Sequence, residues 1–208
     1  MWDLRYAGAT TFPCLILWSA NAEQGPLAIP GQYRVRITAG VTQTEPLVVR
    51  MDPRLKGVTI ADLRQQFALA TQIRDKLSAA NDAVTRIRRL KSAIAERVAH
   101  AEAPEVAASA SDVTGKLTTV EENLYQVRNR SGQDPLNFPI KLNNRLGALG
   151  RSVMTGDARP TASSHTVFRE LSTQLDAELK RLQHVISTDV EALNRVLAGR
   201  NIDRIRAE

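Results

Sequence analysis

The chain has 208 residues, 43% of them apolar, 24% charged and 4% aromatic, with a formal net charge of +6. That suffices for one large domain or two small ones with a real core, and it excludes a globally disordered chain. One cysteine, Cys14, excludes an internal disulfide framework and a thiolate zinc site, and three scattered histidines, His100, His165 and His184, leave little for a metal centre.

No apolar run approaches the ~20 residues of a membrane span. The positive charge raises nucleic acid as a partner, but arginines and lysines are interleaved with acids along the whole chain. The densest basic patch is Arg86, Arg88, Arg89 and Lys91, with no aromatic beside it for base stacking. It reads as a solvated helix face, so nucleic acid is not an expected partner.

The composition changes near residue 57. Before it lie Trp2, Tyr6, Phe12, Trp18 and Tyr33, and much of the glycine and proline, which together predict short strands separated by turns. Trp2 and Leu4 have strand character. The run Phe12-Pro13-Cys14-Leu15-Ile16-Leu17-Trp18 predicts a buried strand, in which Cys14 is an inert buried thiol. Pro30-Gly31 then opens an alternating strand, Gln32–Thr38, with Tyr33, Val35 and Ile37 on one face and the arginines on the other. Gly40 marks a turn into a further strand around Pro46–Arg50. Four short strands fall short of the roughly seven of a closed sandwich. The expectation is therefore a partial immunoglobulin-like β-sandwich over residues 1–57, its earlier strands belonging to a longer parent, with an apolar sheet edge left exposed.

From residue 58 the pattern is helical. Thr59 and Asp62 form a capping box. Apolar residues then recur at Leu63, Phe67, Ala70, Ile73, Leu77, Ala80, Val84, Ile87, Ile94 and Val98, without glycine or proline. Ala103-Pro104 and the Ala/Ser stretch to Asp112 read as the linker that ends this helix. Val113, Leu117, Val120, Leu124 and Val127 predict a second helix. Leu142, Leu146, Leu149 and Val153 predict a third, with Pro139 in its first turn and Gly156 as its stop. After a turn at Asp157–Pro160, Thr161 or Ser163 caps a fourth helix. Its stripe runs unbroken from Phe168 through Leu171, Leu175, Leu179, Leu182, Ile186, Val190, Leu193 and Leu197 to Gly199. Such stripes bury against one another, so residues 58–208 are expected to form a long antiparallel helical bundle of three rods, the middle one broken. A compact four-helix arrangement is the alternative. The fold class is α+β.

The residues hold no Ser-His-Asp order, GxSxG elbow, P-loop, GxGxxG or HExxH. The histidines read as surface or capping residues. Glu121 and Glu122 are neighbours that point different ways on a helix, and Glu170, Asp176, Glu178 and Glu191 read as solvated, so no acid/base pair stands out and no cofactor is implied. The most unusual stretch runs from Tyr125 to Asn144, rich in amides and arginines. Its Tyr125, Gln126, Arg128, Asn129, Asp134, Asn137, Lys141 and Asn144 are the candidate ligand or partner residues. The same residue types are also what a loop needs to satisfy its own backbone and cap two helices.

The stretch Tyr125-Gln126 through Gln133-Asp134-Pro135-Leu136-Asn137-Phe138-Pro139-Ile140-Lys141-Leu142-Asn143-Asn144 resembles a signature at the C-terminal end of bacterial sortilin-like (Vps10-type) β-propeller proteins. Those proteins are often labelled glycosyl hydrolases of the BNR or Asp-box repeat type. The resemblance extends to Trp2-Asp3-Leu4-Arg5-Tyr6, Phe12-Pro13 with Leu17-Trp18, Gly25-Pro26-Leu27, Pro30-Gly31-Gln32-Tyr33-Arg34-Val35 and Gly156-Asp157-Ala158-Arg159-Pro160-Thr161. The Trp-Asp and Pro-Gly-x-Tyr elements also resemble the immunoglobulin-like module of flagellar hook-capping proteins. The resemblance implies the tail of a larger, exported protein whose propeller lies upstream and is one partner of this chain. It also implies a small residue such as glycine where Cys14 stands. The function expected is a non-catalytic accessory or interaction module. The alternative is a part of a glycoside hydrolase that contributes saccharide contacts through residues 125–144.

Overall fold

A computed structural model describes residues 2–99, 101 and 103–206 of the chain, and His100 lies outside the described residues. The fold is mixed α+β: two small antiparallel sheets come first, and long helices packed together follow. Strand β1 (Arg5–Ala7) pairs with β2 (Gln24–Leu27), and β3 (Gly31–Ala39) pairs with β4 (Val41–Val49). The two pairs are separate two-stranded sheets, and no sandwich forms among the described residues. The expected sandwich fails because the apolar residues between β1 and β2 turn to the helices and not to a second sheet: Ala9, Phe12 and Ala22 belong to the same buried cluster as the helix stripes.

The run Phe12–Trp18 is not a strand. Cys14 and Ser19 adopt φ of +62° and +53°, which no strand tolerates, and the chain turns at Pro13-Cys14. Phe12 therefore points inward, whereas the Cys14 thiol, expected to be buried, is exposed. The left-handed backbone at Cys14 is a conformation that favours glycine, and a β-carbon there costs about 1–2 kcal/mol. β4 is longer than expected, because Gly40 at φ +76° turns the chain tightly enough for nine residues to pair with β3. The alternation in β3 holds, but its apolar face stays in water: Val35 is 40% and Ile37 62% exposed.

Helix α1 (Ile60–Ala99) has 40 residues and is about 60 Å long at ~1.5 Å per residue. Its capping box is reciprocal: the Asp62 N–H donates to Thr59 Oγ1 at 3.1 Å, and the Thr59 N–H donates to the Asp62 carboxylate at 3.0 Å. Helix α2 (Pro104–Leu124) includes the Ala/Ser stretch that was expected to be linker. Proline fits the first turn, where its missing N–H would have no helical partner, and alanine propagates the helix well. Val106 and Ala110 thereby join the stripe of Val113, Leu117, Val120 and Leu124, all buried. Helix α3 (Leu142–Val153) starts three residues beyond Pro139, and Gly156 at φ +74° follows its end.

Helix α4 (Ala162–His184) is capped by Thr161, whose Oγ1 accepts the Ser164 N–H at 3.1 Å. It passes through a π-helical stretch, Val185–Val190, into α5 (Glu191–Ala198). The sequence reading took this rod as regular α-helix. Its wider turn keeps Leu182, Ile186 and Val190 in line, since two four-residue steps would drift round an α-helix.

α2 runs against α1 in the opposite direction, with Glu121 beside Arg88 and Lys91. α3 follows along the same helix, where Gln66 Nε2 donates to the carbonyls of Val153 (2.8 Å) and Gly156 (2.7 Å). α4 lies alongside α1 in the same direction, marked by Lys76–Asp176 at 2.6 Å and Arg159–Gln65 at 3.0 Å. α2 and the final rod meet through Lys116–Asp189. Val84, Ile87, Leu117, Leu124, Leu146, Leu175, Val190 and Leu197 are fully enclosed. The tail folds back so that Asn194 clamps the Ile205 backbone, its Oδ1 accepting the N–H at 2.7 Å and its Nδ2 donating to the carbonyl at 3.1 Å. Glu178, read as solvated, is instead buried in the α4 stripe, with Arg181 donating to Oε1 at 2.9 Å.

Candidate functional site

The chain leaves α2 at Tyr125, which adopts an extended backbone (φ −136°, ψ 146°) and turns its ring inward. The ring meets Phe12 edge-on at 5.1 Å. Its hydroxyl donates to the Cys14 carbonyl at 3.1 Å and accepts the Ile16 N–H at 3.3 Å. At the far end of the stretch, Asn144 Oδ1 accepts the Trp18 N–H at 2.6 Å, and its Nδ2 donates to the Trp18 carbonyl at 2.8 Å. Beside it, Asn143 Nδ2 donates to Asn81 Oδ1 at 3.1 Å, and Asn81 Nδ2 donates to the Thr10 carbonyl at 2.7 Å. Three points of residues 10–18, a segment without ladder partners of its own, are thus held by amides and a phenol from the helices. Backbone groups set against the helices without a ladder must find such partners or lose stability.

The rest of the stretch mostly holds itself. Gln126 is buried, donates to the Pro139 carbonyl at 2.9 Å and accepts the Arg128 N–H at 3.3 Å. Asp134 accepts the backbone N–H groups of Arg130 and Ser131 and the Ser131 hydroxyl. Those backbone donors hold its carboxyl below the usual carboxylate range. Asn129 is buried, with its Oδ1 unpartnered among the described residues. Three candidates are left facing outward or half outward: Arg128, whose guanidinium lies 4.0 Å over the Phe138 ring, Asn137, and Lys141 at the N-cap of α3.

The basic patch on α1 is a solvated face only in part: Arg89 is exposed, whereas Arg88 and Lys91 turn to neighbouring groups. Arg88 lies over the rings of Phe12 (4.7 Å) and Tyr125 (5.4 Å), and its Nε donates to Glu121 Oε1 at 2.8 Å. Lys91 reaches Glu121 Oε2 at 3.1 Å, so a buried carboxylate is neutralised by two cations. The sequence reading missed Asn81, Arg88 and Glu121 as parts of this site. Asn81 was visible as a polar residue between Ala80 and Val84 on an apolar stripe. Arg88 and Glu121 lie 33 residues apart, and no local signal joins them. His165 and His184 are exposed on α4, and no group of metal-ligating side chains converges among the described residues. No described helix is long and apolar enough to cross a membrane.

Chemically, the arrangement binds irregular backbone, and what it binds is this chain's own segment. Compared with family models, with curated proteins and with solved structures, the chain has no match.

Burial raises the Tyr125 phenol above its ordinary pKa of 10.0. A raised pKa favours the neutral form in the fold, so its contribution is present below pH 10 and lost as pH climbs through the raised value. The unfolding midpoint is expected to fall more steeply above pH 10 in the native chain than in Tyr125→Phe. Near neutrality that variant should cost about 1 kcal/mol for the two lost hydrogen bonds. Parallel pH profiles would show that the hydroxyl is solvated.

Proposed function

We propose that this chain is a non-catalytic accessory module, the C-terminal part of a larger sortilin-like propeller protein, which serves protein–protein contact. In this reading three antiparallel rods form its frame: α1, then α2 and α3 as one rod broken at residues 125–141, then α4 running into α5. The frame fixes the β1–β2 ribbon and the segment between its strands, and it leaves the β3–β4 hairpin presented for contact. The observation that carries the reading is the use of the signature stretch. Tyr125, Gln126 and Asn144 spend their polar groups on the chain's own backbone, and Asn143 supports Asn81, which does the same, as the parts of a structural clamp do.

The test is hydrolysis of a panel of aryl glycosides by the isolated chain. No turnover above buffer is expected, and turnover abolished by replacing a specific acid would refute the proposal. One observation favours the second reading, saccharide contact: Asn137 is exposed beside the Arg128–Phe138 stack with no side-chain partner among the described residues. That reading requires Asn137→Ala to weaken saccharide binding by the full-length protein while leaving its melting unchanged.

A further inference from the structure

The β3–β4 hairpin is a built sheet element with one layer missing. Its register places Tyr33, Val35, Ile37 and Ala39 on one face, opposite Leu47, Glu45, Gln43 and Val41, so this face is apolar along β3 and is interrupted by Gln43 and Glu45 on β4. At the base this face is covered: the Trp2 ring sits edge-on to Tyr33 at 6.2 Å, and the Tyr33 hydroxyl donates to the Ile29 carbonyl at 2.6 Å. Beyond the base, exposure rises through Val35 at 40% and Ile37 at 62% to Val41 at 75%. Neither strand has a second hydrogen-bonded neighbour among the described residues, and an isolated two-stranded hairpin is marginal in water.

The two free edges differ. β4 carries Glu45 and Pro46 at its middle, and proline offers no N–H, so this edge is protected. β3 has neither proline nor acid from Gly31 to Ala39. Its polar face carries Arg34 and Arg36, shared across the hairpin with Thr44 and Pro46, and no acid lies on that face. Neither arginine side chain has a hydrogen bond or ion pair with a described residue.

These charges decide what can pair. A second copy joined antiparallel through β3 about Val35 would set Arg34 opposite Arg36 twice. A shift of two residues sets Arg34 or Arg36 opposite itself, and directly opposed like charges destabilise a strand pair. A lipid surface would leave the edge N–H and C=O groups unsatisfied in hydrocarbon, at several kcal/mol each. A strand with alternating acidic and apolar side chains meets both needs: carboxylates oppose the arginines, and apolar residues extend the Tyr33–Ile37 face.

We propose that the β3 edge accepts an extended, acidic segment of a partner protein as an added strand. This rests on the accessory-module reading and names the chemistry of its partner. The probe is a labelled peptide of about ten residues alternating glutamate and valine, compared with its lysine–valine counterpart, against the whole chain. Fluorescence anisotropy should show at least about tenfold tighter binding of the glutamate peptide, weakening with salt. Amide exchange should slow across Gly31–Ala39 and not across the outer edge of β4. Arg34→Glu with Arg36→Glu should reverse the preference between the peptides while the helical circular dichroism stays unchanged, since both side chains are exposed.

Equal affinity for both peptides, no binding of the glutamate peptide at about 1 mM, or protection confined to β4 would overturn the proposal. So would a concentration-dependent dimer that the glutamate peptide fails to dissolve, or capture by phosphatidylglycerol vesicles that the peptide fails to displace. Glycoside turnover by the same preparation would instead overturn the accessory-module reading. Failure of peptide binding in a chain without turnover overturns the strand-acceptor inference alone.

Discussion

Replacing Arg88 and Lys91 together by methionine is expected to cost about 3–5 kcal/mol of unfolding free energy, because it leaves a buried carboxylate without a counter-charge. Glu121 is 4% exposed, and each of its oxygens is met by one of these cations. The cations are unequal. Lys91 contributes one hydrogen bond from a partly solvated position, so Lys91→Met alone should cost about 1 kcal/mol. Arg88 also covers the Phe12 and Tyr125 rings, and cation–π contact of this kind is worth about 0.5–2 kcal/mol. Adding Glu121→Leu to the double variant should restore most of the loss by removing the orphaned charge, the remainder being the lost ring contact. Guanidinium unfolding of the native chain, the double variant, Glu121→Leu and the triple variant measures the coupling directly. A double-variant loss below about 1 kcal/mol would mean that water reaches Glu121 in solution.

That ion cluster also shows where sequence reading stops. The stripes of α1 and α4 were legible because each residue reports its face through its neighbours three and four positions away. The capping box at Thr59 and the turns at Gly40 and Gly156 were legible for the same local reason. Pro104 and the alanines after it were not, because proline both ends and begins helices and an Ala/Ser stretch carries no stripe of its own. The π-helical stretch at Val185–Val190 was hidden behind a spacing that a regular helix nearly satisfies.

The N-terminal portion misled in another way. Phe12–Trp18 has the composition of a strand, but nothing in a cysteine or a serine announces the positive φ found at Cys14 and Ser19. Within the candidate site the residue types were right and their direction was open. Tyr125 and Asn144 could face a ligand or the chain itself, and the partners that decide it lie 109 to 126 residues away. Arg34 and Arg36 are the converse case: their alternation with Tyr33, Val35 and Ile37 was plain in the sequence. Only the fold shows that, among the described residues, no second sheet covers the apolar face they oppose.

Gly25→Ala tests whether the N-terminal segment and the helices are one cooperative unit. A β-carbon at Gly25 would overlap the carbonyl oxygens of Tyr6 and Ala7, and one at Gly8 would overlap backbone atoms of Ala22 and Glu23, so β1 and β2 approach at distances only glycine permits. The obstacle is backbone, which cannot rotate away as a side chain would. The expected loss is about 2–4 kcal/mol, well above the ~0.4–1 kcal/mol that alanine returns by restricting the unfolded chain. The ribbon fixes both ends of residues 8–23, through the Ala9 N–H to Ala22 carbonyl bond at 2.7 Å and the Ala28 N–H to Leu4 carbonyl bond at 2.7 Å. Losing it should free Phe12 from the core and Trp18 from Asn144. Both tryptophans, Trp2 before the ribbon and Trp18 within the segment it closes, lie ahead of the helices, so indole fluorescence follows the N-terminal portion while far-ultraviolet circular dichroism follows the helices. In the variant the fluorescence transition should move to lower guanidinium than the helical one, the two having coincided in the native chain. If they stay coincident at the native midpoint, β1 and β2 stand further apart than the structure places them. If they fall together, Phe12 is integral to the bundle, and the helices unfold with the segment they hold.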